Sequence, residues 1–146
     1  MPRLLVVHHT PSPTLQAVLA AVREGAALVE DVELTVRPAL SAGAADLLAA
    51  DGVLLGTPAN IGYMSGALKH FFDTVYYPCL DATVGRPYGV YVHGNDDTAG
   101  ALTSVQRITG AMRWKQVAAS LSLVGAPGAA ELDAVRELAA TVAVSL

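Results

Sequence analysis

The chain predicts an α/β protein, a single domain over residues 1–146 in which a parallel five-stranded sheet lies between two layers of helices. Three observations predict it. Short apolar runs alternate with helical stripes along the whole length, five of each, the pattern of a parallel sheet with crossover helices. Two of the runs, Leu4–Val7 and Val53–Leu55, are continuously apolar, as expected of strands buried on both faces. The 146 residues suit one core, and hydrophobic residues make up 53% of them, more than a disordered chain holds.

Each element follows in order. Leu4–Val7 is the first strand, broken by His8-His9-Thr10-Pro11-Ser12-Pro13. Leu15, Val18, Leu19 and Val22 then recur at helical spacing, with Gly25 as the expected end. Val32–Val36 alternates as a second strand, Pro38 stops it, and Ser41 is placed to cap a short helix through Leu48. Val53–Leu55 is the third strand. A helix with Met64, Leu68, Phe71, Phe72 and Val75 on one face follows, ended by Tyr76-Tyr77-Pro78. Tyr88–Val92 is the fourth strand, and Leu102, Val105, Ile108 and Met112 mark the next helix. Val117–Val124 reads as a weaker fifth strand, and a helix over Glu131–Val144 turns Leu132, Val135, Leu138 and Val142 inward. The favoured strand order is 2-1-3-4-5, with a switch point between the first and third strands.

Composition narrows the function classes. Nine Lys and Arg against thirteen Asp and Glu leave a net charge of −4, the wrong sign for nucleic acid. A single cysteine, Cys79, excludes an intrachain disulfide framework and a cysteine-based zinc cluster. No apolar run approaches the ~20 residues of a membrane span, and nothing reads as a secretion signal, so the expectation is a cytoplasmic protein with no membrane partner. No GxxxxGK[ST], GxGxxG or GxSxG occurs, which argues against a P-loop, a dinucleotide fingerprint and a serine hydrolase. His8 and His9 are neighbours on a strand and point to opposite faces, so no metal site is expected. His70 reads as a solvated helix residue and Trp114 as a packing residue.

In open α/β sheets, ligands bind beyond the carboxyl ends of the strands. Three loops converge there. The first, His9, Thr10, Pro11, Ser12, Pro13 and Thr14, offers three hydroxyls before a helix N-terminus and no Lys or Arg. That suits a phosphate monoester held by neutral donors, and it also suits simple helix capping by Ser12 or Thr10. The second, Pro58, Ala59, Asn60, Ile61, Gly62, Tyr63 and Met64, provides backbone donors for the edge of a flat heteroaromatic ring, with Tyr63 and Ile61 against its face. The same loop reads equally as a glycine-rich connection with a core methionine. The third, His93, Gly94, Asn95, Asp96, Asp97 and Thr98, is a polar turn in which Asp97 or Thr98 is the expected helix cap.

The segment Gly56–Asp73, GTPANIGYMSGALKHFFD, resembles the G-[ST]-P-x-x-x-G-x-M-[SA]-x-x-[LM]-K-x-F-[IFL]-D segment of the flavodoxin-like superfamily, in its NAD(P)H-dependent FMN reductase and quinone reductase branch. The matching residues are Gly56, Thr57, Pro58, Gly62, Met64, Ser65, Leu68, Lys69, Phe71, Phe72 and Asp73. The resemblance runs the full length and implies a flavodoxin-like three-layer sandwich with FMN as cofactor. It implies that Thr10, Ser12, Pro13 and Thr14 hold the FMN phosphate, that residues 58–64 wrap the ring, and that His93, Gly94, Asn95 and Asp96 form the third flavin loop. It further implies NAD(P)H as co-substrate, hydride transfer at flavin N5 with no catalytic side chain, a quinone-like or other small acceptor, and compatibility with a homodimer. Two positions depart from the family's phosphate loop: Pro13 stands where glycine is usual and Leu15 where a hydroxyl is usual. A flavodoxin-type electron carrier, and a flavodoxin-like domain without flavin, stay open as alternatives.

Overall fold

The structure is a computed structural model that describes all residues, 1–146. Five strands lie parallel: β1 (Arg3–His8), β2 (Glu33–Pro38), β3 (Gly52–Asn60), β5 (Pro87–Gly94) and an edge split into β6 (Lys115–Gln116) and β7 (Leu121–Val124). Their order is β2-β1-β3-β5, followed by the split edge, so the expected 2-1-3-4-5 arrangement is found. Strands successive in the chain are joined by α1 (Pro13–Ala27), α2 (Ala44–Ala49), α3 (Gly66–Cys79) and α4 (Ala99–Ala111), and α5 (Ala129–Val144) closes the chain.

The continuous apolar runs explain the layering. Successive side chains of a strand point to opposite faces. Leu5, Val7, Val53, Leu55, Val90 and Val92 therefore join one core, together with α3 and α4. Leu4, Val6, Leu54 and Tyr91 join a second core under α1 and α5. Glycine stands where a strand or a helix comes closest to α5. A Cβ on Gly89 would meet Val142 Cγ2 at 2.7 Å, and one on Gly25 would collide with the Arg136 carbonyl of α5.

That contact corrects one expectation. Gly25 does not end α1, which runs on to Ala27; the glycine is there because the α5 backbone crosses it. Ser41 does not cap the short helix either. Residues Ala39–Ser41 form a separate 3-10 turn, and α2 starts at Ala44, with the Asp46 carboxylate accepting from the Gly43 N–H at 3.0 Å. The third helix starts at Gly66 rather than Met64, with Ser65 Oγ accepting from the Leu68 N–H at 3.2 Å. It continues through Tyr76-Tyr77-Pro78 to Cys79, since a proline in the last turn costs only one helical hydrogen bond and Cys79 is fully buried.

The fifth strand is shorter than Val117–Val124. Gln116 pairs with Tyr88 and Leu121 with Tyr91, a step of five residues against three on β5, so the edge bulges between them. The Gln116 side-chain amide closes that bulge by donating to Ala118 O at 2.9 Å and Ser120 Oγ at 3.1 Å.

Candidate functional site

The carboxyl ends of β1, β3 and β5 are adjacent, and the pairing places their loops together. His8 is the partner of Gly56 on β3, and Pro58 is the partner of His93 on β5. A Cβ on Gly94 would touch the Ala59 Cβ at 3.3 Å, so the second and third loops stand side by side.

The first loop leads into α1. Ser12 is the N-cap and its Oγ accepts from the Leu15 N–H at 3.2 Å, while Pro13 occupies the first helical position. Leu15, which takes the place of a hydroxyl, is 1% exposed and belongs to the core. The backbone N–H groups of Thr10, Ser12 and Thr14 have no hydrogen-bond partner within the chain. No acidic residue lies in the first turn of α1, so the positive end of the helix dipole is not neutralised. His8 is buried, and its Nδ1 lies 2.7 Å from Thr10 Oγ1. Burial, then the charges of Arg23 and His9, lower the affinity of His8 for a proton below that of an ordinary histidine. His9 is half-buried beside it, and its N–H continues the sheet to Gly56 O at 3.0 Å.

The second loop is a hairpin. Pro58, Ala59 and Asn60 complete β3, and the two-residue strand β4 (Tyr63–Met64) returns antiparallel, pairing Asn60 with Tyr63 and Ala59 with Met64. Ile61 and Gly62 at the tip both have positive φ, 49° and 72°, the geometry of a two-residue hairpin turn. Three bonds anchor the hairpin. The Met64 N–H donates to Ser104 Oγ at 3.1 Å, the Ser65 N–H donates to Thr57 Oγ1 at 2.9 Å, and Thr57 Oγ1 donates to Pro58 O at 2.8 Å. Gly62 O lies against Gly100 of α4, where no Cβ would fit. Asn60, Ile61, Gly62 and Tyr63 are exposed, whereas the Met64 side chain is 2% exposed and turned into the core. Met64 thus offers the mouth no side chain.

In the third loop, Asn95, Asp96 and Asp97 are exposed and His93 and Gly94 are buried. Asp97 Oδ1 accepts from the Ala99 N–H at 2.8 Å and serves the start of α4, whereas Thr98 makes no side-chain capping bond. The N–H groups of Asn95 and Asp96 have no partner within the chain. The His93 ring is engaged elsewhere, with Nε2 2.9 Å from Gly125 O. Gly125 also donates its N–H to Gly94 O at 2.9 Å. The turn after β7 is therefore a fourth contributor to the mouth, which the sequence pattern did not reveal. Its signal was Gly125 (φ 73°) before Ala126-Pro127-Gly128.

The arrangement is thus a shallow edge of neutral donors with one helix N-terminus, flanked by Tyr63 and Ile61. A groove of about 230 Å³ between β1, β2 and α2 is a poor competitor, because its charges are already paired, Arg3 with Glu33 at 3.1 Å and Arg37 with Asp46 at 3.4 Å. No group of His, Cys, Asp and Glu side chains is arranged to hold a metal ion. Cys79 is the buried last residue of α3, and Trp114 is packed against Phe72 and Tyr88 with its indole N–H on Thr83 Oγ1 at 2.9 Å, both remote from this edge.

The sequence profile of a family described as "NADPH-dependent FMN reductase" matches residues 8–128, a span that includes all four loops. A protein named "Flavodoxin" from Aquifex aeolicus (strain VF5) is 35% identical over 75 residues, which are 51% of this chain and 40% of that protein, so the match spans about two fifths of the relative. Solved structures give the fold. A flavodoxin from the domain Archaea superposes with TM-score 0.84 at 15% identity, covering 98% of this chain and 97% of that one. Flavodoxin 1 from Bacillus cereus gives 0.79 at 16%, covering 100% and 99%. A "flavodoxin, WrbA-like protein" from Agrobacterium tumefaciens gives 0.75 at 19%, covering 99% and 96%.

Proposed function

The chain belongs to the NADPH-dependent FMN reductase family, and from that premise we propose that it is an FMN-binding oxidoreductase that carries a hydride from NAD(P)H to a quinone-like or other small acceptor. One observation carries the reading: the loops after β1, β3 and β5 expose backbone N–H groups without partners at one sheet edge, beside a helix N-terminus free of carboxylates.

The residues present fit the cofactor. A phosphate monoester accepts hydrogen bonds and carries negative charge, and the first loop supplies the N–H groups of Thr10, Ser12 and Thr14, the hydroxyls and the helix dipole. Pro13 removes one donor from this set, at a helix position whose N–H would have no helical partner. The neutral edges of the ring would meet the N–H groups of Ile61, Gly62, Asn95 and Asp96, with Tyr63 beside its face. FMN, when bound, supplies hydride acceptance and donation at N5. The chain's own part is to bind, orient and set the polarity around that atom, and no acid or base is required of it. The pinned hairpin holds the donors in place, which is what orientation of a bound ring needs.

A second reading, an electron carrier without its own NAD(P)H turnover, is favoured by the curated relative named as a flavodoxin. Against it, Asp96 and Asp97 are the only carboxylates of the three loops, little to dock a basic redox partner. The same test decides both. Purified protein is loaded with FMN and given NADH or NADPH with a quinone. Turnover well above that of free FMN supports the reductase. Slow oxidation of both nucleotides, with fast reduction by a ferredoxin reductase, supports the carrier. A protein with no absorption band near ~450 nm that takes up no added FMN refutes both. A cytoplasmic homodimer is part of the proposal, and mass measurement in solution tests the dimer. No helix is long and apolar enough to cross a membrane.

A further inference from the structure

We propose that His8 is a positioning residue for the phosphate end of the site: its Nδ1–H donates to Thr10 Oγ1, and so turns the Thr10 O–H outward as a donor to the phosphate. The proposal rests on the FMN reading above and adds a residue outside the phosphate loop to it.

The geometry starts from the 2.7 Å contact between His8 Nδ1 and Thr10 Oγ1. A hydroxyl has one proton and two lone pairs, and a neutral imidazole has one N–H and one bare nitrogen. If Thr10 gives its proton to His8, the oxygen presents lone pairs to an anion. If His8 gives its proton to Thr10, the Thr10 proton is free for the anion. A phosphate accepts only, so its presence selects the second arrangement.

The surroundings suit a residue that acts as a fixed neutral donor. His8 is 8% exposed, and it stands in a row with Gly56 and Tyr91 across β1, β3 and β5. Tyr91 lays its Cζ and Oη over Gly56, filling the space a Cβ would take and walling off that side of the row. Tyr91 Oη is the one buried side-chain polar atom without a hydrogen-bond partner. The row of His8, Gly56 and Tyr91 holds no carboxylate. The charged and titratable neighbours acting on His8 are Arg23 of α1 and His9, and both oppose a charge on its ring, as burial does. His8 thus serves as a hydrogen-bond donor rather than as a cation.

Riboflavin is FMN without its phosphate, so the ratio of the two affinities isolates this end of the site. Dissociation constants of both are measured by quenching of flavin fluorescence at one pH. The variants are His8→Leu, His8→Asn, whose Nδ2–H overlays the Nδ1–H, and Thr10→Val. His8→Leu and Thr10→Val are each expected to lose about tenfold in FMN affinity with riboflavin affinity unchanged, while His8→Asn keeps the wild-type ratio. A wild-type ratio in Thr10→Val, or in a His8→Leu whose riboflavin affinity is unchanged, overturns the proposal, as does a His8→Asn whose ratio falls as far as that of Thr10→Val. If His8→Leu weakens both flavins alike through damage to the fold, the pair His8→Asn and Thr10→Val decides by the same criteria. A wild-type chain that binds neither flavin overturns the FMN reading itself, and the role of His8 with it.

Discussion

A methyl group has no room at Gly56, where a Cβ would sit on the Tyr91 ring. Gly56→Ala is therefore expected to cost at least about 2 kcal/mol in denaturant unfolding, through forced movement of a buried phenol. A loss below about 0.5 kcal/mol would show that the ring moves aside freely. Tyr91 itself gives the opposite expectation. Its hydroxyl is buried without a partner, which burial also keeps protonated, so Tyr91→Phe should leave stability unchanged or raise it by up to about 1 kcal/mol. His8 sets a pH dependence. In the unfolded chain it takes up a proton as pH falls through its ordinary 6.5, whereas the folded chain resists until lower pH. The unfolded state then binds more protons, so the stability His8 allows is complete above 6.5 and is lost as pH falls below it. The drop in unfolding midpoint between about pH 7.5 and about pH 5.5 should be smaller in His8→Asn than in the wild type. Equal drops would falsify this.

The element that matters most is the hairpin of β3 and β4. Its tip is exposed, yet its base is tied by Thr57 and Ser104, both buried. Thr57→Val keeps the shape and removes the acceptor of the buried Ser65 N–H, at an expected cost of about 1–3 kcal/mol. The same change frees the start of α3 from the hairpin, so riboflavin binding, which reads the ring end alone, should weaken with it. A Thr57→Val variant with wild-type riboflavin affinity would mean that the hairpin does not position the ring. Much of this element was legible in the sequence as a segment: Gly56, Pro58, Gly62 and the stripe from Leu68 marked a strand, a turn and a helix in series. The return strand was not legible, because two residues are too few to show a period, and only the pairing of Ala59 with Met64 reveals it.

For the molecule as a whole, a ligand that binds the folded state alone stabilises it by mass action. FMN at about one hundred times its dissociation constant should contribute about 2.7 kcal/mol, roughly 5–10 °C in Tm for a chain of this size. Riboflavin at equal concentration should shift Tm less, by the phosphate's share of the affinity. Identical shifts for the two flavins would remove the first loop from the site.

The sequence by itself determined the alternation of strands and helices, the two-sided burial of β1 and β3 and hence the three layers, because period and apolarity are local properties. It also marked the loops at the carboxyl edge, since glycine, proline and hydroxyl residues there follow the demands of turn and cap. Tertiary structure alone decided the roles of particular residues. Gly25 answers to the α5 backbone rather than to a helix end, Met64 is turned into the core, and the His93 ring is drawn to Gly125. The row of His8, Gly56 and Tyr91 exists only once three strands are in register. These facts depend on what lies opposite a residue across the sheet or between layers, and that separation in the chain leaves no periodic trace in the sequence.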